Sequence, residues 1–499
     1  MSKLWKHSRQ CLLRGSLFPH QPSSTIRLGP LSSSTPSPSR FSSQQTRRQL
    51  VTLAIETSCD DTCVAVLEKN SAGVARLHFN EKITSDNRAF GGVHPTIAVA
   101  SHTEHLAPLI QKALRTLPDA ASAGSSQQGS NGKTLLVDGC LRLKPDFVSV
   151  TRGPGMLSNL AAGLNIAKGL AIAWDVPLLA VNHMQAHALT PQLVSALEDT
   201  KLDQVNDLES ITGYGGSQGP QFPFLSLLVS GGHTILARSN SPNDHTILAN
   251  ASNIAIGDML DKCARMILPP EILSAREPDS SMYGPIFEEF AFPGSKESTD
   301  YDYNYTPPAR RADEIKSFDS GHDWTLRPPL ANKGKAASSE YDFAGINGQV
   351  QKLMLEHPDM DVKVRRIVAQ ATMTLVFEHL TSRLVFALQS NQRTEEQKQG
   401  RIKTVVLSGG VASNRFLRHV VREMLDVRGY GDIEIVAPPV ALCTDNAAMI
   451  AWTGMEMYEN GWRSDLNVLA LRKWSLDSKA EGGGILSAQG WYRAAMPKP

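Results

Sequence analysis

The 499-residue chain has few cysteines and no uninterrupted apolar run of about 18 residues, so it has no predicted transmembrane helix. Its six cysteines are too few for a disulfide framework in a chain of this length, and none has Cys-x-x-Cys spacing. We therefore expect free thiols. A Walker loop and a Gly-x-Gly-x-x-Gly segment opening a βαβ unit are also missing, which disfavours two common nucleotide-binding folds.

Acidic residues are absent from the start of the chain, where the first is Glu56. Residues 1–49 are rich in serine and carry eight Lys and Arg residues, a composition that predicts an organelle transit peptide. A plain disordered tail is the alternative interpretation. Without those eight residues, the 50 basic residues fall to 42 against 49 acidic ones, a net charge of −7. Composition therefore does not favour nucleic-acid binding, and any such site must be a local patch.

The rest of the chain alternates apolar strands with helical segments, which predicts the α/β class. Residues 50–67 have the pattern of a β-hairpin, residues 158–174 that of a helix, and residues 362–389 that of a long helix. Three stretches have weak periodicity and many Ser, Gly, Pro and charged residues, and we expect surface loops there, at about 118–145, 196–220 and 270–345.

Two predicted strands end in Ser-Gly-Gly, at 230–232 and at 408–410, and a Ser/Thr/Asp-rich turn at 56–62 follows a third. Glycines at the end of a strand let backbone N–H groups approach a phosphate. One such loop is weak evidence, because tight turns use the same residues. Three loops spread over two α/β units favour a nucleotide held between two lobes, as in the actin-like ATPase architecture.

His183 and His187 lie four residues apart at the start of a predicted helix, so both rings point the same way. Two imidazoles at this spacing can bind one divalent ion, although a pair of satisfied surface histidines is an equal alternative. Asp445 is a candidate third ligand, or else a helix cap. A second cluster, formed by His94, His102 and His105, lacks an evident carboxylate partner and is interpreted as structural.

Six motifs in chain order resemble those of the universal tRNA threonylcarbamoyltransferase family, once called the O-sialoglycoprotein endopeptidase family. The resemblance covers about residues 50–472 apart from the insertions, and the leader makes it similar to the mitochondrial branch. The motifs are Ile-Glu-Thr-Ser-Cys-Asp-Asp-Thr at 55–62, Thr-Arg-Gly-Pro-Gly-Met at 151–156, Asn-His-Met-Gln-Ala-His at 182–187, Leu-Val-Ser-Gly-Gly-His-Thr at 228–234, Ser-Gly-Gly-Val-Ala-Ser-Asn at 408–414 and Cys-Thr-Asp-Asn at 443–446.

The resemblance implies a two-lobed actin-like ATPase fold with a nucleotide cleft between the lobes. The first lobe would span residues 50–195, with 440–475 returning to it. The second would span 221–439, with the long insertion at about 270–345, and residues 476–499 would form a tail.

The implied reaction transfers an L-threonylcarbamoyl group from threonylcarbamoyl-AMP to the exocyclic amine of the adenosine beside the anticodon, in mitochondrial tRNAs reading codons that start with A. Implied partners are a separate synthetase, which makes the adenylate, and a second subunit in a homodimer. The implied location is the mitochondrial matrix. The implied cofactor is one divalent metal ion per subunit, iron or zinc first, with magnesium as a further candidate.

The resemblance also assigns site residues. His183, His187 and Asp445 match the metal ligands. The matching nucleotide- or substrate-contacting residues are Leu228, Val229, Ser230, Gly231, Gly232, Asp261, Gly284, Glu288 and Asn414. Two segments depart from the family pattern. Gly-Asp-Met-Leu-Asp-Lys at 257–262 is a conservative variant of the ribose-contacting motif, and the loop at 282–285 that carries Gly284 is altered.

Three other functions compete with this prediction. A metalloprotease would need a water-activating glutamate, as in His-Glu-x-x-His, but Met, Gln and Ala separate His183 from His187. A nucleotide-dependent scaffold would be favoured by a missing metal ligand, and a kinase would not need the histidine pair. Six basic residues are candidate tRNA contacts or plain surface charges, namely Arg152, Lys363, Arg365, Arg366, Arg415 and Arg418.

Overall fold

The computed structural model describes residues 49–494, apart from 88–89, 91, 121–132, 198–218, 275–282, 299, 332–338 and 396–399. Except for Gln49, the predicted transit segment 1–49 lies outside the described residues. No helix in the described part of the chain is both long and apolar enough to cross a membrane.

The first lobe is built on a seven-stranded sheet in which the first three strands are antiparallel. In chain order its elements are β1 (Leu50–Glu56), β2 (Asp61–Lys69), β3 (Ala75–Thr84), α1 (Pro95–Arg115), the separate hairpin β4 (Thr134–Val137) and β5 (Cys140–Leu143), β6 (Phe147–Gly153), α2 (Leu157–Trp174), β7 (Leu178–Asn182) and α3 (His183–Ala196). The hairpin at 50–67 and the helix at 158–174 are confirmed, while β3 was not predicted.

The second lobe is built on a five-stranded sheet. In chain order its elements are β8 (Phe224–Val229), β9 (Thr234–Ser241), β10 (Asp244–Asn250), α4 (Ile256–Ile267), α5 (Pro270–Ser274), α6 (Gly284–Ala291), α7 (Arg311–Glu314), β11 (Phe318–Asp319), β12 (Thr325–Leu326), α8 (Ala344–Glu356), α9 (Val362–Glu395), β13 (Thr404–Ser408), α10 (Arg415–Val427) and β14 (Glu434–Val436). The chain then continues through α11 (Val440–Cys443), α12 (Ala447–Glu459), β15 (Trp462–Ser464) and β16 (Trp491–Arg493).

Both sheets have the same strand order. In each, an antiparallel meander of three strands is extended beside its first strand by two parallel strands, as β3-β2-β1-β6-β7 and as β10-β9-β8-β13-β14. In the first sheet, β15 and β16 add to the outer edge of β7. This repeated order is that of the actin-like ATPase fold, so the predicted two-lobed α/β class is confirmed.

Helices cover both faces of the first sheet, which explains why β1 is apolar along its length. Leu53 and Ile55 pack in a core that contains side chains of α1 and α2, and Ala54 packs in the core that contains α3 and α12. The residues of β1 alternate between these two cores, as the two-residue period of a strand requires. In the second lobe, alternate residues of β8 likewise face two different cores.

The predicted surface loop at about 270–345 is wrong for its described residues. Seven large side chains of this segment are buried in the core of the second lobe, namely Phe287, Phe290, Phe292, Trp324, Leu326, Tyr341 and Phe343. Phe287 and Phe290 share the short helix α6, and the others enter the core from short strands and extended stretches, so no helical or strand period extends over the segment. In the stretch at 118–145, the described residues include the β4–β5 hairpin.

The last described residues, 474–494, join the two lobes, and we call them the C-terminal strap. Trp474, Leu476 and Ile485 of the strap share one apolar cluster with Met184 of α3 and Leu228 of β8. The Ser478 amide donates to the His245 carbonyl at 2.8 Å, and the Asp477 carboxylate accepts the Ile247 amide at 3.0 Å. The strap ends in β16 on the first sheet. Residues 476–494 are therefore packed, although the sequence pattern indicated only a tail.

Candidate metal centre

Asn182 sets the start of α3, and this start places two histidines on one face of the helix. The Asn182 side chain accepts the amides of Met184 at 2.9 Å and Gln185 at 3.1 Å, as a helix N-cap does. His183 and His187 then lie one turn apart, with ring centroids 4.7 Å apart and ring planes perpendicular. Both residues are buried. Their shared orientation is the one that the four-residue spacing predicts.

Asp445 reaches the same place from the segment between α11 and α12. The cap of α12 is the next residue, Asn446, whose side chain accepts the Met449 amide at 3.0 Å. The alternative role of Asp445 as a helix cap is therefore wrong. Its carboxylate oxygen Oδ1 lies 3.1 Å from Nε2 of His187 and 3.4 Å from Nε2 of His183.

The structure thus brings together the three residues that the sequence singled out as metal ligands. One donor atom from each of His183, His187 and Asp445 lies within 4.8 Å of the others. Two imidazole nitrogens and one carboxylate oxygen, converging from two segments, are a donor set that suits zinc, iron and similar divalent ions. These residues can therefore hold a metal ion.

Glu56, at the end of β1, lies behind His183. Its carboxylate oxygen Oε2 is 3.2 Å from Nδ1 of His183, the ring nitrogen that points away from Asp445. The other oxygen, Oε1, accepts the Ser58 amide at 2.5 Å, and the Thr151 hydroxyl donates to Oε2. The side chain is fully buried. A carboxylate held by three donors is fixed in position.

The electrostatics of this cluster follow from its geometry. Burial opposes the charged form of each group, but attraction between the His183 ring and the two carboxylates outweighs it. The pKa of His183 is therefore raised to about 10, the pKa of Glu56 is lowered, and that of Asp445 is well below its usual value. Nearby, burial and the adjacent positive charge of His183 lower the pKa of His233 to about 4. The cluster thus favours a cation between two carboxylates.

The first Ser-Gly-Gly loop follows β8 and packs against the start of α4. The Ser230 hydroxyl accepts the amides of Gly232 at 3.3 Å and His233 at 3.0 Å, which closes the turn. A Cβ on Gly257 would lie 2.8 Å from the Gly231 nitrogen, so the helix start approaches the loop closely. Among the described residues other than the chain neighbours of these glycines, no atom lies within 4 Å of a Cβ placed on Gly231 or Gly232. A ligand can therefore approach this backbone.

The second Ser-Gly-Gly loop follows β13, the parallel neighbour of β8, so the two loops share one sheet edge. Gly409 has φ +94°, and a Cβ there would lie 2.4 Å from the Val229 carbonyl oxygen. The Ser408 hydroxyl donates to the His187 carbonyl at 3.0 Å. The second lobe is thereby attached to the helix that carries both histidines. The third predicted loop, at 56–62, differs from the two Ser-Gly-Gly loops, because its first side chain, that of Glu56, is buried against His183.

The other predicted nucleotide contacts lie where α4, α6 and α10 meet. Asp261 accepts the Tyr283 amide at 3.1 Å, next to Gly284 at the start of α6. Glu288 accepts the amides of Arg415 at 2.7 Å and Phe416 at 3.0 Å. Asn414 caps α10 by accepting the Leu417 amide at 2.8 Å. Glu288 and Asn414 therefore have structural roles at the start of α10, and their nucleotide contacts stay predictions.

His102 has the structural role expected for its cluster. It is buried, with Nδ1 2.8 Å from the Thr62 hydroxyl and Nε2 3.0 Å from the Cys59 carbonyl oxygen. Five of the six candidate basic contacts also bind backbone carbonyl groups: Arg152, Arg365, Arg366, Arg415 and Arg418. They stabilise the fold, which weakens the case for them as tRNA contacts.

Sequence reasoning missed Glu56 and His233 as members of the site. Both stand inside motifs that carried the resemblance, but neither has a spacing that indicates a ligand. The available signal for Glu56 was that it is the one acid in an otherwise apolar strand. An acidic side chain in a buried strand needs hydrogen-bonding or charged partners that offset the cost of burying it.

Fold and site together define a two-lobed α/β protein with a His-His-Asp group at the junction of its lobes. A family model described as "tRNA N6-adenosine threonylcarbamoyltransferase" matches residues 140–201 and 194–452, which contain all three residues of that group. The mitochondrial tRNA N6-adenosine threonylcarbamoyltransferase of Schizosaccharomyces pombe is 34% identical over 454 residues, which cover 89% of each chain. The chain belongs to the tRNA N6-adenosine threonylcarbamoyltransferase family and is a transferase.

Two bacterial relatives carry the same name. The protein of Rhodopseudomonas palustris is 28% identical and aligns with 89% of this chain and 98% of its own length. That of Bartonella henselae is 30% identical and aligns with 86% and 96%. The match spans nearly the whole length of these proteins. Membership of the tRNA N6-adenosine threonylcarbamoyltransferase family decides against the protease, kinase and scaffold alternatives.

Proposed function

We propose that the protein transfers an L-threonylcarbamoyl group from threonylcarbamoyl-AMP to the exocyclic amine of the adenosine next to the anticodon. The product is N6-threonylcarbamoyladenosine in mitochondrial tRNAs that read codons starting with A. The observation that carries this proposal is the convergence of His183, His187 and Asp445 in a chain of this family. The name of the S. pombe relative and the basic, acid-free leader support a location in the mitochondrial matrix.

His183, His187 and Asp445 would hold one divalent metal ion. Iron and zinc suit two imidazoles and a carboxylate better than magnesium, which prefers oxygen ligands. When bound, the ion would supply a Lewis acid that stabilises charge on the oxygens of the substrate. Asp445 would join α3 to the segment by which the chain returns from the second lobe, because it approaches both histidines from between α11 and α12.

The nucleotide part of the substrate would bind along the edge of the second sheet. The segment Leu228 to Gly232 offers an open backbone to its phosphate, and Asp261, Gly284, Glu288 and Asn414 would contact or support the rest of the nucleotide. AMP is a good leaving group, so the reaction needs little activation of the attacking amine. The main task of the protein is to hold the carbonyl carbon close to that amine.

The partners that we propose are a separate synthetase that supplies threonylcarbamoyl-AMP, the tRNA, and a second copy of the chain. The adenylate is a reactive mixed anhydride of a carbamate and a phosphate, so a reaction that adenylates N-carboxy-threonine, the carbamate of threonine, with ATP and releases pyrophosphate must precede this one.

The test is a transfer assay with the purified full chain, unmodified mitochondrial tRNA and threonylcarbamoyl-AMP. We expect modified nucleoside from the wild type and a loss of at least 100-fold in His183→Ala, measured by mass spectrometry of digested tRNA. The matched control is His105→Ala, which removes a histidine of α1 and should transfer normally. No product from a wild type that binds adenylate would overturn the proposed function.

A further inference from the structure

We propose that Glu56 is a positioning residue of the metal centre, which fixes the ring of His183 so that Nε2 faces the ion. This inference rests on the proposed function, since it deepens the role of the same site. Glu56 is not among the three residues whose donor atoms converge, and it meets the group at Nδ1 of His183, the nitrogen that points away from Asp445. It acts through His183 alone.

The two nitrogens of the His183 ring face different partners. Nε2 lies 3.4 Å from Asp445 Oδ1, on the side of the ligand group, and Nδ1 lies 3.2 Å from Glu56 Oε2, on the opposite side. A neutral imidazole carries its single proton on one nitrogen and offers a lone pair at the other. When a metal ion replaces the Nε2 proton, a carboxylate beside Nδ1 keeps the remaining proton there, so the lone pair of Nε2 faces the ion and the other two ligands.

The structure also shows why Glu56 acts as an acceptor. Its Oε1 accepts the Ser58 amide, and the Thr151 hydroxyl donates to its Oε2. With the His183 N–H, three donors surround a side chain that is fully buried. Both oxygens of a carboxylate accept hydrogen bonds, as these three donors require. A glutamine amide in its place would put an NH₂ group, itself a donor, against some of them.

His187 differs from His183 in the surroundings of its Nδ1. Its Nδ1 is buried and has no hydrogen-bond partner among the described residues. The two histidines are therefore not equivalent: one has a carboxylate behind it, and the other is held by its helix. Loss of the Glu56 carboxylate should change one ligand and leave the other in place.

The decisive variant is Glu56→Gln, tested in the full chain. We expect its affinity for Zn²⁺, measured by competition with a chromophoric chelator, to fall 10- to 100-fold, as for other partners of metal-bound histidines. The visible spectrum of bound Co²⁺ should also change, because the His183 ring can then rotate. Glu56→Asp, which keeps a carboxylate on a shorter side chain, should recover part of the affinity.

The matched control is Glu68→Gln. Like Glu56, Glu68 is an acid of the β1–β2 hairpin that pairs with a histidine, His78, at 2.7 Å, although it is half-buried rather than fully buried. It lies at the opposite end of the hairpin, in register with Val51, whereas Glu56 is in register with Cys63. Glu68→Gln should bind Zn²⁺ and Co²⁺ like the wild type. If Glu56→Gln does not fold, Thr151→Val removes one donor to Oε2 and should lower the affinity several-fold.

The inference would be overturned if Glu56→Gln bound Zn²⁺ with an affinity within twofold of the wild type and left the Co²⁺ spectrum unchanged. The same result in a folded Thr151→Val, used where Glu56→Gln does not fold, would also overturn it. A wild type that binds neither Zn²⁺ nor Co²⁺ would overturn the metal centre and the inference with it. A wild type that binds metal tightly but transfers nothing would overturn the proposed function alone. The role of Glu56 would stand in that case, because metal binding is measured without turnover.

Discussion

At the scale of single residues, Gly409 is a tightly constrained position near the site. Its φ of +94° lies in a region that side chains avoid, and the Val229 carbonyl oxygen occupies the place of a Cβ. Both Ser-Gly-Gly loops depend on this contact, because Gly409 belongs to one loop and Val229 precedes the other.

Gly409→Ala should therefore lower the free energy of unfolding by about 3 kcal/mol, from backbone strain and steric overlap together. It should also weaken adenylate binding, because the two loops must separate. Urea unfolding and adenylate titration measure the two effects. Gly410→Ala is the control, since open space surrounds a Cβ there. Its stability should change by less than about 0.5 kcal/mol. Equal stability of the two variants would contradict the argument.

His245 makes the stability of the protein depend on pH. Its ring is buried between the Ser239 hydroxyl and the Pro242 carbonyl, and burial lowers its pKa to about 4. In the unfolded chain its pKa is about 6.5. Between these values the unfolded state binds the proton and the folded state does not. The stability contributed by neutral His245 is therefore present above pH 6.5 and is lost as the pH falls toward 4.

The shift from about 6.5 to about 4 corresponds to a loss of about 3 kcal/mol by pH 4. Urea midpoints measured between pH 7.5 and pH 5 should fall in the wild type and fall less in His245→Gln. The exposed His322→Gln should follow the wild type. Parallel curves for all three proteins would show that His245 titrates in the folded state as it does in the unfolded chain.

Residue patterns predicted the metal ligands better than the groups around them. A four-residue spacing on one helix is visible in the sequence, and so is the matching Asp445 motif. The approach of Glu56 to His183, 127 residues away, depends on the register of β1 beside β6 and on the turn after β7. That geometry exists only once the sheet has formed, and so no local spacing encodes it.

At the scale of elements, α10 shows how a residue expected at a ligand can belong to the scaffold. Its first turn has two acceptors, the Asn414 side chain and the Glu288 carboxylate from α6. Free amides at a helix start attract negative charge, so a buried glutamate there stabilises the helix. The same pair of residues joins α6 to α10.

Glu288→Ala should lower the free energy of unfolding by about 2–3 kcal/mol, because two buried amides lose a charged acceptor. Glu288→Gln keeps an acceptor oxygen and should lose about half of that. Thermal and urea unfolding without any ligand are the measurements. Glu356→Ala, which removes an exposed acid of α8, is the control. Unchanged stability in Glu288→Ala would instead favour a role in ligand contact alone.

Helices and strands with regular periods were predicted within a few residues, including α2 and the long α9. The region at 270–345 was not, and the reason is physical. Several of its buried aromatic side chains lie outside regular helices and strands: Trp324 precedes β12, and Tyr341 and Phe343 precede α8. Each of these side chains is buried in a space formed by elements that are distant in sequence, so the local sequence around it does not show that it is buried.

At the scale of the whole molecule, the C-terminal strap connects the lobes. It adds Trp474, Leu476 and Ile485 to a cluster shared by both lobes and binds the backbone of β10. The Trp491 indole N–H donates to the Ala180 carbonyl at 2.8 Å, which attaches the strap to β7. The strap was not predicted, because its apolar residues are few and are not spaced with the period of a helix or a strand.

Deletion of residues 476–499 should therefore lower the urea midpoint and broaden the transition, because the lobes lose a shared apolar cluster. A chain that ends at Ala494 keeps every described residue of the strap and is the control. Fluorescence and circular dichroism should give separate midpoints for the deletion variant and a single midpoint for the control. A midpoint unchanged by the longer deletion would mean that these residues form the simple tail that the sequence pattern indicated.

The position of β15 and β16 in the first sheet has a consequence for biosynthesis. These strands leave the ribosome after the entire second lobe, whereas their neighbour β7 leaves before it. The second lobe is continuous in the chain and can fold while the first still has an open apolar edge, which is a template for aggregation. Asp445 also emerges only after the second lobe, so the order of translation decides when it can first meet His183 and His187.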